Sequence, residues 1–448
     1  MEYRTLVIFS GLIFAYSNVS GALASHPVNG ALVFVVVGVC LGPVVLGWLD
    51  FSIGDEAVRE GLSLVAEVTL ALVLFSDAAS ANLLVLRHSY RLPVRLLLVG
   101  LPLTIILGAG VGYLLFGDTL SPLEVFVLAT MLAPTDAALG KAVVTDSRVP
   151  SYIREALNLE SGLNDGICVP VLFIFLALVS PEREEHGRPA DLALRLTAEA
   201  IGIGAVVAVA ITGPAVWLFE RCESRQWVGE SWEEAAVPSL AVACFASAQW
   251  FGGSGFISCF IGGLLFGRLI PLPEHKARLL EAAESAGDVL ALVTWVLFGA
   301  VLIDDSMAEV TSWQVVAYAL LSLTVVRILP VVVALSGTRL KTNEKIFIGW
   351  FGPRGLASVV FTILVMDERD LPGGKTIVVA VACSVLLHGM SANPLVAALE
   401  ASLRDKHQRG VAGAKTDAGP VASPEARPRP YSYSLQDARL SSGKSSMR

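Results

Sequence analysis

The sequence predicts an all-α polytopic membrane protein with about thirteen transmembrane helices in two inverted halves. Three observations predict it. Of the 448 residues, 54% are hydrophobic and only 16% are charged, whereas a soluble globular chain is about a quarter charged. The mean hydropathy is +0.67. The apolar residues lie in continuous runs of about 20, enough for a helix to cross a hydrocarbon core of about 30 Å, and basic loops alternate with acidic ones along the chain. Long continuous runs exclude a transmembrane barrel, which needs short alternating strands. A net charge of −8 and a pI near 5.4 leave nucleic acid no electrostatic footprint. The six cysteines (40, 168, 222, 244, 259 and 383) form no C-x-x-C pair, so neither a disulfide framework nor a zinc site is indicated.

The spans fall at roughly 5–24, 28–49, 57–79, 93–116, 122–144, 153–179, 191–220, 235–251, 255–271, 281–303, 312–336, 344–366 and 375–401. The first has no basic leader (Glu2 and Arg4 precede it) and only a weak cleavage site at Ala22-Leu23-Ala24, so it is read as a retained span and not a signal peptide. The eighth and ninth meet at Gly252-Gly253-Ser254-Gly255, which is either a turn between two spans or a re-entrant feature. Basic loops carry Arg87, Arg91 and Arg95; Lys141, Arg148 and Arg154; Arg268, Lys276 and Arg278; and Arg339, Lys341 and Lys345. The opposite loops carry Asp50, Asp55 and Glu56; Asp118 and Glu124; and Asp304, Asp305 and Glu309, while the loop 181–190 is mixed. This alternation places the N-terminus outside and the C-terminus in the cytoplasm. Residues 1–403 form the membrane-embedded domain. The segment 404–448, rich in Ala, Pro, Ser, Gly and Arg, reads as a disordered cytoplasmic tail.

Ionisable groups inside a span cost roughly 2.5–3.5 kcal/mol each on insertion scales, so those present line a cavity or pair with one another. The fifth span reads Leu132-Ala133-Pro134-Thr135-Asp136-Ala137. Proline removes a helix hydrogen bond, and the freed groups cannot face lipid. A hydroxyl and a carboxylate at that break form either a cation site of hard oxygen ligands or a capped kink. The sixth span reads Glu160-Ser161-Gly162-Leu163-Asn164-Asp165-Gly166. Ser161 and Asp165 are four apart and share a face that offers a hydroxyl and a carboxylate to an ion. Glu160 and Asn164 share the adjoining face, suited to a fixed partner.

In the second half Arg327 lies in Arg327-Ile328-Leu329-Pro330 and Arg354 in Gly352-Pro353-Arg354-Gly355. A lone intramembrane arginine needs an anion, and Glu160 is the candidate for Arg327. Arg354 lies either in the break or at a headgroup to which it snorkels. Spans five and twelve are both interrupted and run in opposite directions, the sequence pointer to a transporter's midplane site. Asp77, near the end of the third span beyond Glu67, either serves Arg354 or lies in water. His388, in the last span, is read as a packed histidine and not a proton relay. Lys141 and Asp146 belong to the inner rim.

Pro134-Thr135-Asp136, the run Glu160–Gly166, Arg327–Pro330 and Gly352–Gly355 together resemble the monovalent cation:proton antiporters, specifically the NhaP-like sodium/proton exchangers, over roughly residues 1–400. The resemblance implies a mobile core bundle with two crossed broken helices, the fifth and twelfth spans, and a dimerisation bundle, hence a homodimer, here expected in a bacterial inner membrane. It implies that Asp165 binds either Na⁺ or the proton, with Asp136, Thr135 and Ser161 completing the site, and that Glu160, Asn164 and Arg327 form a fixed polar bridge. Arg354 and Asp77 would add to the site's electrostatics. No cofactor is implied; the monovalent cation is the substrate. Many members carry proline where this chain has Ala137, which bears on the geometry of the break. Asparagine before the aspartate, as at Asn164, accompanies electroneutral exchange.

The expected mechanism is competition at Asp165: protonated it cannot hold a cation, and deprotonated it can. The principal alternative keeps the exchange with K⁺ as the main ion, since ligand distances set selectivity. A sodium-coupled organic anion symporter on a similar scaffold is a further alternative, disfavoured by the Asn164-Asp165 pair. An enzyme is not expected, since the chain has no H-E-x-x-H, G-x-S-x-G or paired-aspartate protease pattern.

Overall fold

The computed structural model describes residues 3–24, 30–43, 45–49, 56–81, 91–136, 143, 146, 148–179, 190–270, 273–302, 312–368, 379–384, 387–388, 390–391 and 394–401. Among them there is no strand. The helices are α1 (Tyr3–Ala24), α2 (Gly30–Leu41), α3 (Glu56–Ser80), α4 (Arg91–Phe116), α5 (Pro122–Met131), α6 (Ser151–Val179), α7 (Ala190–Glu223), α8 (Glu230–Trp250), α9 (Gly255–Leu269), α10 (Pro273–Leu302), α11 (Trp313–Ala334), α12 (Thr342–Trp350) and α13 (Leu356–Glu368). The described residues between 379 and 401 are also helical and are called α14. Each of the thirteen apolar stretches therefore contains helix. Among the described residues, seven helices suffice by length and apolarity to cross a membrane: α1, α3, α4, α6, α7, α10 and α11. Such a chain is an integral membrane protein.

Asp50, Asp55, Arg87, residues 181–189 and Asp304, Asp305 and Glu309 lie outside the described residues, as do Ala137, Lys141 and the tail from 404 onward.

Small residues set the packing. On α9, Gly263 and Gly267 lie four apart; a Cβ at either would collide with the α3 backbone at Phe75 O or Ala79 O. Gly38 of α2 and Gly42 just beyond its end admit α10 in the same way, at Val296 O and Ala300. With no hydrophobic drive between helices in lipid, such close backbone contact is what holds them together. α3 thereby touches α6, α9, α10 and α13 and lies inside the bundle. α1 packs little of its surface inward: Leu6, Val7 and Phe14 are exposed, as suits an apolar face in lipid.

Local irregularities have local causes. α4 opens into one π-turn at Leu96–Gly100, just before Pro102, whose ring would clash with the carbonyl of Leu98 in an unbroken helix. α11 is bent at Thr324 (φ −108°, ψ −92°), whose hydroxyl donates back to Leu320 O at 2.7 Å. α8 and α9 are joined by a tight turn in which Gly252 takes φ +73° and Ser254 caps α9 by accepting from Ile257 N at 3.3 Å, so the Gly-Gly-Ser-Gly run is turn chemistry. Outside the apolar body, His275 meets Glu223 at 3.3 Å and Arg278 meets Glu233 at 2.8 Å and His275 Nδ1 at 3.1 Å. This network ties the end of α7 and the start of α8 to the start of α10. Glu223, Glu233 and His275 have ligand-type atoms within 4.8 Å of one another, and Arg278 bonds two of the three, Glu233 and His275.

Candidate functional site

Two non-helical segments make the site. α5 stops at Met131, leaving 132–136 irregular, and 351–355 separate α12 from α13. A helix C-terminus exposes carbonyls without intrahelical donors, costly to leave bare inside a membrane. Here they are met across the fold. Ser358 Oγ donates to Met131 O at 2.8 Å, and Arg354 Nη1 donates to Ala133 O at 2.8 Å and Pro134 O at 3.3 Å. In return Asp136 N donates to Pro353 O at 2.8 Å, and Asp136 Oδ2 accepts from Leu356 N at 2.8 Å. Asp136 thus caps α13, whose positive N-terminal end favours a carboxylate.

The glycines of the second break make room for this exchange. A Cβ on Gly355 would strike the Asp136 carboxyl, and one on Gly352 the Arg327 guanidinium. Gly355→Ala is therefore expected to lower any transport activity at least about tenfold, because the Asp136 carboxyl, held by the Leu356 N–H, must give up its place. Gly213→Ala on α7, with nothing near its Cβ position, is expected to leave it unchanged. Initial rates in vesicles, normalised to protein amount, check both.

α6 supplies the opposite wall. Ser161 Oγ lies 3.0 Å from Thr135 Oγ1, and Asn164 Nδ2 donates to Thr135 Oγ1 at 2.5 Å. Thr135, Ser161 and Asn164 are buried, so the hydroxyl of the first break is bound to the polar turn of α6. Asp165, one turn beyond Ser161, has 7% exposure, and its Oδ1 has no hydrogen-bond donor among the described residues. Gly162 on the same face packs against Asp77 of α3, with 3.5 Å from its Cβ position to Asp77 Cβ.

Arg327 Nη2 lies 2.7 Å from Glu160 Oε2, with each side chain 1% exposed. Asn164 bonds to Thr135 and not to that pair, so the expected three-membered bridge is here an ion pair beside a separate amide–hydroxyl contact. Arg354 lies within the 351–355 break. Its partners are neutral carbonyls: Ala133 O, Pro134 O and, at 3.2 Å, Ser322 O. It is fully buried, not snorkelling, and Asp77 is not among its partners. Three converging carbonyl dipoles supply the negative potential that a carboxylate would have supplied.

His388 is packed, 3% exposed, between Trp350 O and Ser384. Sequence reasoning missed Ser322, Ser358 and Ser384, whose only signal is a hydroxyl residue in an apolar run. At the rim, Asp146 accepts from Arg148 Nη2 at 2.7 Å and from Arg148 N at 2.9 Å. These bonds hold its carboxyl below the usual carboxylate range. A depressed carboxylate contributes stability above its unfolded-state pKa and loses it as pH falls through the folded one.

A family model described as the transmembrane sodium/hydrogen exchanger matches residues 8–398. The chain belongs to that family. This exchanger is 23% identical over 379 residues to a Na⁺/H⁺ antiporter of Schizosaccharomyces pombe, covering 81% of this chain and 79% of that one. It is also 23% identical over 404 residues to the K⁺/H⁺ antiporter NhaP of Alkalimonas amylolytica, covering 87% of this chain and 66% of the relative. The solved sodium proton antiporter MjNhaP1 from Methanocaldococcus jannaschii at pH 8 superposes with a TM-score of 0.71 at 18% identity, covering 89% of this chain and 98% of that one. At that identity the likeness carries the fold. The exchanger is thus of the NhaP-like type.

Proposed function

We propose that the protein is a secondary antiporter that exchanges Na⁺ for H⁺ by alternating access, one for one and without net charge movement. The observation that carries this reading is Asp165: a buried carboxylate with an oxygen lacking any donor among the described residues, one helical turn from the Thr135–Ser161 hydroxyl pair. Such a group gains by binding either a cation or a proton and has little to hold it otherwise. Asp165, Asp136, Ser161 and Thr135 take the ion when Asp165 is ionised, and a proton displaces it. Asp136 keeps a constant charge because α13 is capped by it, and Glu160 is neutralised by Arg327. One carboxyl changing occupancy makes the exchange electroneutral.

In this reading thirteen spans cross the membrane, with the fifth and twelfth broken and crossing at the site. The N-terminus lies outside, and the tail from 404 onward is cytoplasmic and disordered. The protein works as a homodimer in a bacterial inner membrane. A second reading keeps the site and makes K⁺ the main ion; the name of the Alkalimonas relative favours it.

The test is dissipation of a preformed pH gradient in everted vesicles on separate addition of Na⁺, Li⁺ or K⁺, with and without a membrane potential. Na⁺ and Li⁺ are expected to collapse the gradient at a rate the potential does not alter. A response to K⁺ alone establishes the second reading. A potential-dependent rate refutes electroneutrality, and no response to any of the three refutes exchange.

A further inference from the structure

One face of α14 holds the second break from behind. Ser384, His388 and Ser391 lie at i, i+4 and i+7, the spacing of a single helix face. Ser384 Oγ accepts the Arg354 N–H at 2.7 Å; His388 Nε2 lies 2.8 Å from Trp350 O; and Ser391 Oγ accepts the Trp350 indole N–H at 2.9 Å. Trp350 is the last residue of α12, and Arg354 lies next to the last position before α13. Ser384 and His388 therefore grip the backbone on the two flanks of the break, Ser391 holds the Trp350 side chain, and the Trp350 and His388 rings lie 5.3 Å apart at 34°.

The imidazole joins the two flanks. Trp350 O can only accept, so Nε2 carries a proton. Nδ1 lies 2.9 Å from Ser384 O and 3.2 Å from Ser384 Oγ, which accepts from Arg354 N. Arg354 N, Ser384, the His388 ring and Trp350 O thus form one linked chain across the break. The break needs such support because Pro353 has no N–H and the Arg354 N–H has no helical acceptor within reach. Through Pro353 O and Leu356 N the same segment sets where Asp136 stands.

We propose that Ser384, His388 and Ser391 are positioning residues for cation binding: as a clamp on both flanks of the 351–355 break, they hold Asp136 and Arg354 in the geometry that receives the ion. This rests on the antiport reading given above. A clamp that sets ligand placement acts on binding of the ion before it acts on the rate of the loaded protein.

The experiment measures half-saturating Na⁺ (or K⁺, if only that ion responds) and maximal rate in proteoliposomes of the full-length protein. His388→Leu and Ser384→Ala are each expected to raise half-saturation about tenfold, with maximal rate changed less than about twofold. His388→Gln, whose amide N–H can reach Trp350 O, and Ser384→Thr, which keeps the hydroxyl, are expected to return within about threefold of the parent. The double variant Ser384→Ala/His388→Leu is expected to be no worse than either single change, since both cut one chain. Unchanged half-saturation in His388→Leu overturns the proposal. So does a His388→Gln protein as impaired as His388→Leu, which would make the ring a packing element. If the parent protein exchanges no cation, it is the antiport reading that fails, and binding of Na⁺ or K⁺ by calorimetry on the same variants still decides the clamp.

Discussion

An Asp165→Asn protein is expected to insert in normal amount and to exchange no cation for protons above the background of vesicles lacking the protein. An amide neither takes up nor releases a proton near neutral pH and offers a cation no charge, so both halves of the cycle stop. Stability is expected to move the other way. The Asp165 oxygen has no donor among the described residues, and a buried unpaired charge is costly, so an isosteric neutral side chain holds the melting temperature or raises it. The opposite signs separate a transport role from a structural one, since a residue needed only for packing loses both together. Thermal unfolding in detergent alongside vesicle exchange makes the comparison. Normal exchange in Asp165→Asn removes this residue from the mechanism.

Arg327→Ala is expected to be the most destabilising single change in the bundle, by about 3–5 kcal/mol, because it leaves the Glu160 carboxylate buried without its cation. Little protein should reach the membrane, and that little should unfold at lower temperature. Glu160→Gln strands the arginine instead and is expected to lie in the same range. The double variant Glu160→Gln/Arg327→Met removes both charges together, and swaps of this kind are often neutral. It is expected to recover most of the lost abundance. If it also exchanges one cation per proton without net charge movement, the ion pair lies outside the stoichiometry, as the reading centred on Asp165 requires. A double variant as unstable as the singles would mean that Glu160 or Arg327 holds something more than its partner.

The parts of this site open to sequence reasoning are those governed by charge and by proline. A buried arginine without an anion is so costly that Arg327 points to a carboxylate, and the one-turn spacing of Ser161 and Asp165 places both on one face of α6 whatever surrounds the helix. Pro134 and Pro353 mark where helices cannot continue. The partners of Arg354 were not legible, because backbone carbonyls have no signature in residue types. Its Nη1 and Nη2 groups donate to Ala133 O, Pro134 O and Ser322 O, and the first two are available only because the chain stops being helical after Met131. The hydrogen-bond partner of Asn164 is hidden from sequence for the same kind of reason. Helical spacing places it beside Glu160, but its amide reaches Thr135, across a contact that depends on how α5 ends.

The glycines divide similarly. Gly352 and Gly355 announce a break in any reading of the chain. That Gly355 must be glycine because the Asp136 carboxyl occupies its side-chain space is a fact of the assembled protein. The Ser384–His388–Ser391 stripe is visible as a pattern, yet nothing in the pattern says that it faces the backbone of residues 350–354. Local rules act over one or two turns of helix, so the amino-acid order alone decides which stretches are apolar helices, where they stop, and which side chains are too polar to face lipid. Which carbonyl meets which donor depends on distances between segments 30 to more than 200 residues apart, and only the packing of the helices against one another sets those.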